Sequence, residues 1–276
     1  FCPNDGRKVF PDLMTSGVFA KRRLERFVGQ GTLGLLYLAS HLELGRSENL
    51  TVLHADMASV HPQLARGFRK VARSVARLEN RHTVRLYEFG QTPEGHLFLA
   101  AERVAGRPLH RLIAAEGPLP WPRAARLAGQ IAEALAEAHA HRVIHGDVKP
   151  ANIVVEEDAQ DERLRLQDFA IAALRPRPPA RAYYLSPEQI DGRADLDGRA
   201  DVFSMGVVLY EMLSGRNPFA APHLPGRLPR QLTHQPPGIE GIPAALGETL
   251  SRMLERDRDA RPEAAECLRS LRALQT

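Results

Sequence analysis

The sequence predicts an α+β fold in two lobes, a small β-rich lobe carrying one long helix and then a larger, mainly helical lobe. Three observations predict it. Short apolar runs bounded by turn residues fill 23–54 and 83–104, the stretch 62–80 repeats apolar residues at helical spacing, and helical periodicity takes over after about residue 106. The lobes are expected at about 22–102 and 107–276, with a hinge at about 102–106.

Residues 1–21 read as a leader. Its "CPNDG" offers turn chemistry; the alternative, a remnant of a zinc-ribbon knuckle, lacks the further thiols a tetrahedral site needs. Strands follow at "RLERFVGQG", "GLLYLASH" and "ENLTVLH". In 62–80, Phe68, Val71, Val75 and Leu78 form the stripe of an amphipathic helix. "TVRLYEFG" and "GHLFLAAERV" are strands again. The stretch 121–142 keeps the 3.6-residue period and has Pro122 in its first turn. "IVVEEDAQDERLRLQDF" gives two short strands around an acidic turn. A Pro/Arg-rich stretch at 174–181 reads as a stiff solvated loop rather than a polyproline ligand, and 200–215 is an apolar helix ending on Gly215.

Composition excludes several classes. The chain has 276 residues, 43% apolar and 25% charged, the balance of a soluble globular protein. Arg outnumbers Lys 33 to 4, yet the net charge of +4 is too small and too dispersed to argue for nucleic acid. Cys2 and Cys267 cannot build a disulfide framework, so a reducing cytoplasm is expected. No apolar run reaches the roughly 18 residues of a membrane span, and no signal peptide opens the chain. It begins at Phe1 rather than Met, and a piece of a longer protein is expected.

Six motifs occur in one order: "GQGTLG" at 29–34, "HGDVKPAN" at 145–152, "DFA" at 168–170, "SPE" at 186–188, "DVFSMGVVLYEMLSGRNPF" at 201–219 and "ARP" at 260–262. A lone G-x-G-x-x-G is weak, but the ordered set is specific. Over 22–272 the chain resembles the protein kinases, closest to the bacterial Ser/Thr type. The resemblance implies a bilobal kinase fold. It also implies phosphate contacts at Gly29, Gly31 and Gly34, and an adenine site from Leu36, Val154 and the hinge at Glu102 and Val104. Asp147 would be the base that orients a hydroxyl, Lys149 the cation on the moving phosphoryl, and Asn152 and Asp168 the magnesium ligands. Asp201 would pin the catalytic loop, Glu188 and Arg261 would pair, and Val75, Leu86, His145 and Phe169 would form an apolar column.

The departures carry the functional reading. The family's strand lysine falls on Thr51, and its helix glutamate on Val71. His54 is three positions off and would point to the opposite strand face. Lys70 lies about 100° round the helix from Val71. Removing one member of such a pair costs roughly 3–5 kcal/mol, whereas an apolar swap of both is often near neutral. Asn49 stands where an alanine roofs adenine, Ala170 where a glycine closes Asp-Phe-Gly, and Gly146 where an arginine grips a phosphate. No Ser or Thr lies between Asp168 and Ser186, and the usual threonine position is Arg181. We therefore expect a catalytically impaired pseudokinase with a regulatory or protein-binding role. It requires no cofactor and binds ATP with magnesium weakly or not at all. The alternatives are a slow, atypical Ser/Thr kinase using Asp147, Asn152 and Asp168, and a nucleotide switch without transfer.

Overall fold

The computed structural model describes residues 17–30, 34–53, 71–157, 162–169, 183–220 and 229–275. The chain divides into two compact units, with crossings at 72/73, 84/85 and 103/104. The last crossing falls within the expected hinge. The first two assign 73–84 to the second unit, although the sequence reading had placed these residues in the first.

The first unit holds a six-stranded antiparallel sheet. Its strands are β1 (Val18–Phe19), β2 (Arg22–Gln30), β3 (Gly34–His41), β4 (Ser47–Leu53), β5 (Leu86–Gln91) and β6 (Leu97–Glu102), in the order β1-β2-β3-β4-β6-β5. One sheet face buries Phe19, Leu24, Tyr37, Ala39, Leu50, Val52, Phe98 and Ala100, the alternation that a period of two dictates. β1 lies inside the expected leader. Phe19 is buried edge-on against Phe98, with ring centroids 5.7 Å apart, so the folded sheet starts before residue 22.

The same buried face carries charge. Arg22 Nε and Arg46 Nε each donate to Glu48 at 2.6 Å, and Arg22 Nη2 donates to Glu88 at 2.6 Å. Arg46 also stacks over Tyr87 at 3.7 Å. Neither Arg22 nor Glu48 reaches solvent, and each is satisfied by more than one partner, the condition under which buried charge is tolerated.

The predicted helix over 62–80 is described only from residue 71 and ends near 75. Arg77 and Leu78 donate back to Ser74 and Val75 in a tightening turn, and the N–H groups of Glu79 and Asn80 donate at 3.0 Å to the carboxylate of Glu137. That carboxylate belongs to the second unit's long helix, so the stop comes from tertiary structure.

In the second unit β7 (Arg107–Pro108), β8 (Ile153–Glu157) and β9 (Glu162–Leu166) make a small sheet. Its helices are α1 (Leu109–Glu116), α2 (Trp121–Ala140), α3 (Pro187–Ile190), α4 (Arg199–Ser214), α5 (Arg230–Thr233), α6 (Ala244–Met253) and α7 (Ala264–Ala273). α2 packs on α4 and α7, and it buries a series of alanines, Ala124, Ala128, Ala132 and Ala138 among them. α4 is buried almost all round, which explains its apolar composition, and it ends on left-handed Gly215 as the sequence reading expected. Val84 N–H donates to Leu166 and Leu166 N–H to His82, so 82–84 are bound to β9.

Candidate active site

The catalytic-loop residues lie in the second unit, between α2 and β8. Its anchor is Asp201, in the first turn of α4 and fully buried. Oδ2 accepts from the N–H of His145 and from His139 Nε2, both at 2.8 Å, and Oδ1 accepts from the N–H of Gly146 at 2.7 Å. The role expected of Asp201, pinning the loop backbone, is therefore present as two hydrogen bonds from loop N–H groups, with the His139 ring of α2 as a third partner. His145 is buried, its Nε2 lies 2.9 Å from the Gln167 carbonyl, and its Nδ1 accepts from the Asp147 N–H at 3.2 Å. This pattern assigns the proton to Nε2. Burial outweighs the neighbouring carboxylates and holds the imidazole pKa below its ordinary value, so the ring is neutral. It packs on Phe169 with centroids 4.6 Å apart, two members of the expected column; Val75 lies in the helical stretch at 71–75 and Leu86 opens β5.

Asp147 is 4% exposed. Its Oδ2 accepts from Lys149 Nζ at 2.6 Å and from Asn152 Nδ2 at 3.1 Å, and the same Nδ2 donates to the Asp147 carbonyl at 2.9 Å. The sequence thus identified three residues that the fold brings together. The short 3₁₀ turn Pro150–Asn152 sets their spacing, and Asn152 accepts from Gln167 N–H to fix the start of β8 against the end of β9. Asp168 is exposed at φ 66°, a left-handed conformation that a non-glycine residue adopts at a cost.

The segment beyond is held at several points. Tyr184 Oη donates to Glu211 at 2.6 Å, and burial pushes both the phenol and the Glu211 carboxyl above their ordinary pKa values. Glu188 and Arg261 form the expected pair, bidentate at 2.7 Å on both arms and buried. Burial alone would raise the Glu188 pKa, but the arginine outweighs it and holds the carboxyl below the usual range. Ala170, Arg181 and the Pro/Arg stretch at 174–181 lie outside the described residues.

The nucleotide-side residues of the first unit are on β2, β3, β4 and β6. Thr51 stands between Leu36 of β3 and Leu99 of β6, and Asn49 between Leu38 and Ala101. These cross-strand partners share one half-buried face, on which Arg26 of β2 stands opposite Leu38, while the position between Leu36 and Leu99 is the uncharged Thr51. Glu48 points to the opposite face and its arginines. Val71 is half-buried in the helical stretch. Glu102 ends β6, its N–H donating to the Arg85 carbonyl at 2.9 Å; Val104 is where the chain returns to the second unit, and Val154 is buried on β8.

The glycines divide by role. A Cβ on Gly29 would meet nothing within 4 Å, which leaves room for a ligand; one on Gly34 would press into the Val52 carbonyl and sit 2.8 Å from Leu53 Cα. Gly34 is therefore demanded by strand packing. Gly31, His54 and Lys70 lie outside the described residues, as does the "CPNDG" turn. Two residues went unnoticed in the sequence. Val28 sits at the bulge beside Gly29 with 45% of its surface exposed. Gly106 lets the chain pass β8, since a Cβ there would lie 2.8 Å from Val154 Cγ1. Only the alternation break at Phe27-Val28 was a usable signal.

The implied cofactor is ATP with magnesium. Both hydrogens available on Asn152 Nδ2 are directed at Asp147, so Oδ1 is the atom that can turn to a cation, and the Asp168 carboxylate supplies a second hard oxygen donor. Those two residues fit a magnesium ion. The β4 face fits the phosphates poorly, having Thr51 where their counter-charge belongs.

Comparison with known proteins agrees with this geometry. A family model described as the protein kinase domain matches residues 22–271. Serine/threonine-protein kinase pkn3 of Myxococcus xanthus is 33% identical over 269 residues, covering 91% of this chain and 49% of that protein. PknJ of Mycobacterium tuberculosis is 34% identical over 266 residues, 89% of this chain and 44% of that protein. The chain thus spans less than half the length of these curated relatives. The crystal structure of the Mycobacterium tuberculosis PknI kinase domain matches with a TM-score of 0.75 at 29% identity, covering 95% of this chain and 99% of that one. The catalytic loop, its buried anchor and the ordered motifs are those of a single group of proteins, and the chain belongs to the protein kinase family, with bacterial serine/threonine kinases as its relatives.

Proposed function

We propose that the chain is a catalytically impaired kinase domain that acts by regulation or by binding a protein partner, in the cytoplasm and without a required cofactor. One observation carries the reading: on β4 the position of the family's phosphate-binding lysine is Thr51, flanked by Leu36 and Leu99. Kinase-family proteins use ATP and magnesium, and a missing charge-assisted contact costs about 1.5–3 kcal/mol, or about 10- to 150-fold in affinity. Magnesium would then have to screen the phosphates from Asp147 and Asp168 with only Lys149, itself paired to Asp147, to help. Calorimetry with Mg-ATP is expected to give a dissociation constant well above micromolar, and labelled phosphate is expected not to transfer.

A second reading has its own support. Asp147, Lys149 and Asn152 are assembled in hydrogen-bonding geometry, which favours a slow Ser/Thr kinase that transfers the γ-phosphate. Phosphate incorporation that disappears in Asp147→Asn would select it, and a tight Mg-ATP complex would overturn the weak-binding half of the first reading.

A further inference from the structure

The catalytic loop and the segment 183–190 are tied by one side chain. Gln189 Nε2 donates to the carbonyl of Gly146 at 2.9 Å, and Gln189 Oε1 accepts from the N–H of Ser186 at 3.0 Å. The partners fix the orientation of the carboxamide, since a carbonyl needs the NH₂ and a peptide N–H needs the oxygen. Gly146 donates its own N–H to Asp201 at 2.7 Å and holds φ 76°. Both peptide planes flanking residue 146 are therefore pinned immediately before Asp147, one by a carboxylate and one by a carboxamide.

The chemistry of the second tie matters. An arginine–phosphate contact exists only after modification, whereas a carboxamide neither titrates nor needs a kinase to create it. The segment it ties down is held independently by Tyr184 on Glu211 and by Glu188 on Arg261. We propose that Gln189 is a positioning residue that fixes the backbone of Asp147 through the Gly146 carbonyl, so that the catalytic loop is set by folding and not by phosphorylation. The inference rests on the kinase-type role of Asp147 in the reading above, but not on whether transfer occurs.

Amide hydrogen exchange on the whole chain, read residue by residue by NMR, tests it in Gln189→Glu and Gln189→Met. Glutamate keeps an acceptor for Ser186 but, ionised, has no donor for Gly146. At neutral pH, Gln189→Glu is expected to speed exchange at Gly146 and Asp147 about tenfold, the scale of one lost hydrogen bond, with Ser186 and the β8 and β9 amides unchanged. Gln189→Met is expected to speed all three of Gly146, Asp147 and Ser186. On acidification the carboxyl of Gln189→Glu regains a proton to donate. After correction for intrinsic rates, protection at Gly146 should return in that variant and not in Gln189→Met. Exchange at Gly146 and Asp147 within about twofold of wild type in both variants would overturn the proposal. So would acceleration spread equally over β8 and β9, or protection that acid fails to restore. Phosphate transfer by the same samples would count against the impaired-kinase reading and leave the exchange result standing.

Discussion

Glu211 is a half-buried carboxyl whose assigned donor is a tyrosine, and burial has raised its pKa. The sign of its contribution follows. A folded pKa above the unfolded value favours the protonated form, so the stabilisation is complete below the unfolded pKa and is lost as pH rises through the folded one. Glu211→Gln does not titrate and should gain on wild type as pH increases from about 4.5 upward, which urea unfolding at a series of pH values would reveal. Tyr184→Phe removes the donor and leaves the carboxyl buried. It should cost about 1–3 kcal/mol, whereas a free surface tyrosine would cost almost nothing. Gly146 gives a second residue-scale test. Reinstating the family's side chain as Gly146→Arg places a Cβ at φ 76° and should lower stability by about 1–2 kcal/mol in a thermal melt, before any phosphate is considered.

At the scale of elements, "GQGTLG" is one motif in sequence and two functions in structure. Gly34→Ala forces a methyl into the β4 backbone and should destabilise by about 1–3 kcal/mol or more. Gly29→Ala has open space and should leave the melting temperature unchanged. Circular dichroism melts of the two variants separate packing from ligand approach. What was legible at this scale follows one rule: elements whose limits are set by their own residues were readable. The limits of β3 match the predicted run "GLLYLASH", and α4 is displaced by one residue from its prediction. The helix near 62–80 was overrun because its stop is the Glu137 carboxylate, more than fifty residues away, while Leu78 keeps the helical apolar spacing and is buried through the turn instead. β1 was missed because two residues carry no period. The site followed the same rule: Asp147, Lys149 and Asn152 sit within one short loop and were found, whereas Gln189 acts 43 residues from its partner and nothing local marks it.

For the whole molecule, the Glu188–Arg261 pair joins parts of the second unit 73 residues apart. Arg261→Met should cost about 3–5 kcal/mol, and the double replacement of both partners by apolar residues far less. Because the Glu188 carboxyl titrates below its unfolded value, its stabilisation is complete above that value, about pH 4.5, and is lost as pH falls through the folded pKa. Urea unfolding of wild type and Arg261→Met should therefore converge in acid.

The bonds from 82–84 to β9 have a consequence for the order in which the chain can be made. During synthesis the nascent polypeptide delivers His82 and Val84 long before Leu166, the residue they bond to, has left the ribosome. The sheet of the first unit needs β6 and is complete in sequence at Glu102. Residues 82–84 are carried along within that sheet's own span, yet their partner on β9 lies another 60 or so residues downstream. At roughly 5–20 residues per second, that interval lasts several seconds. Until Leu166 emerges, the backbone groups of His82 and Val84 lack their native partner, so this stretch completes its pairing after the sheet that surrounds it in sequence.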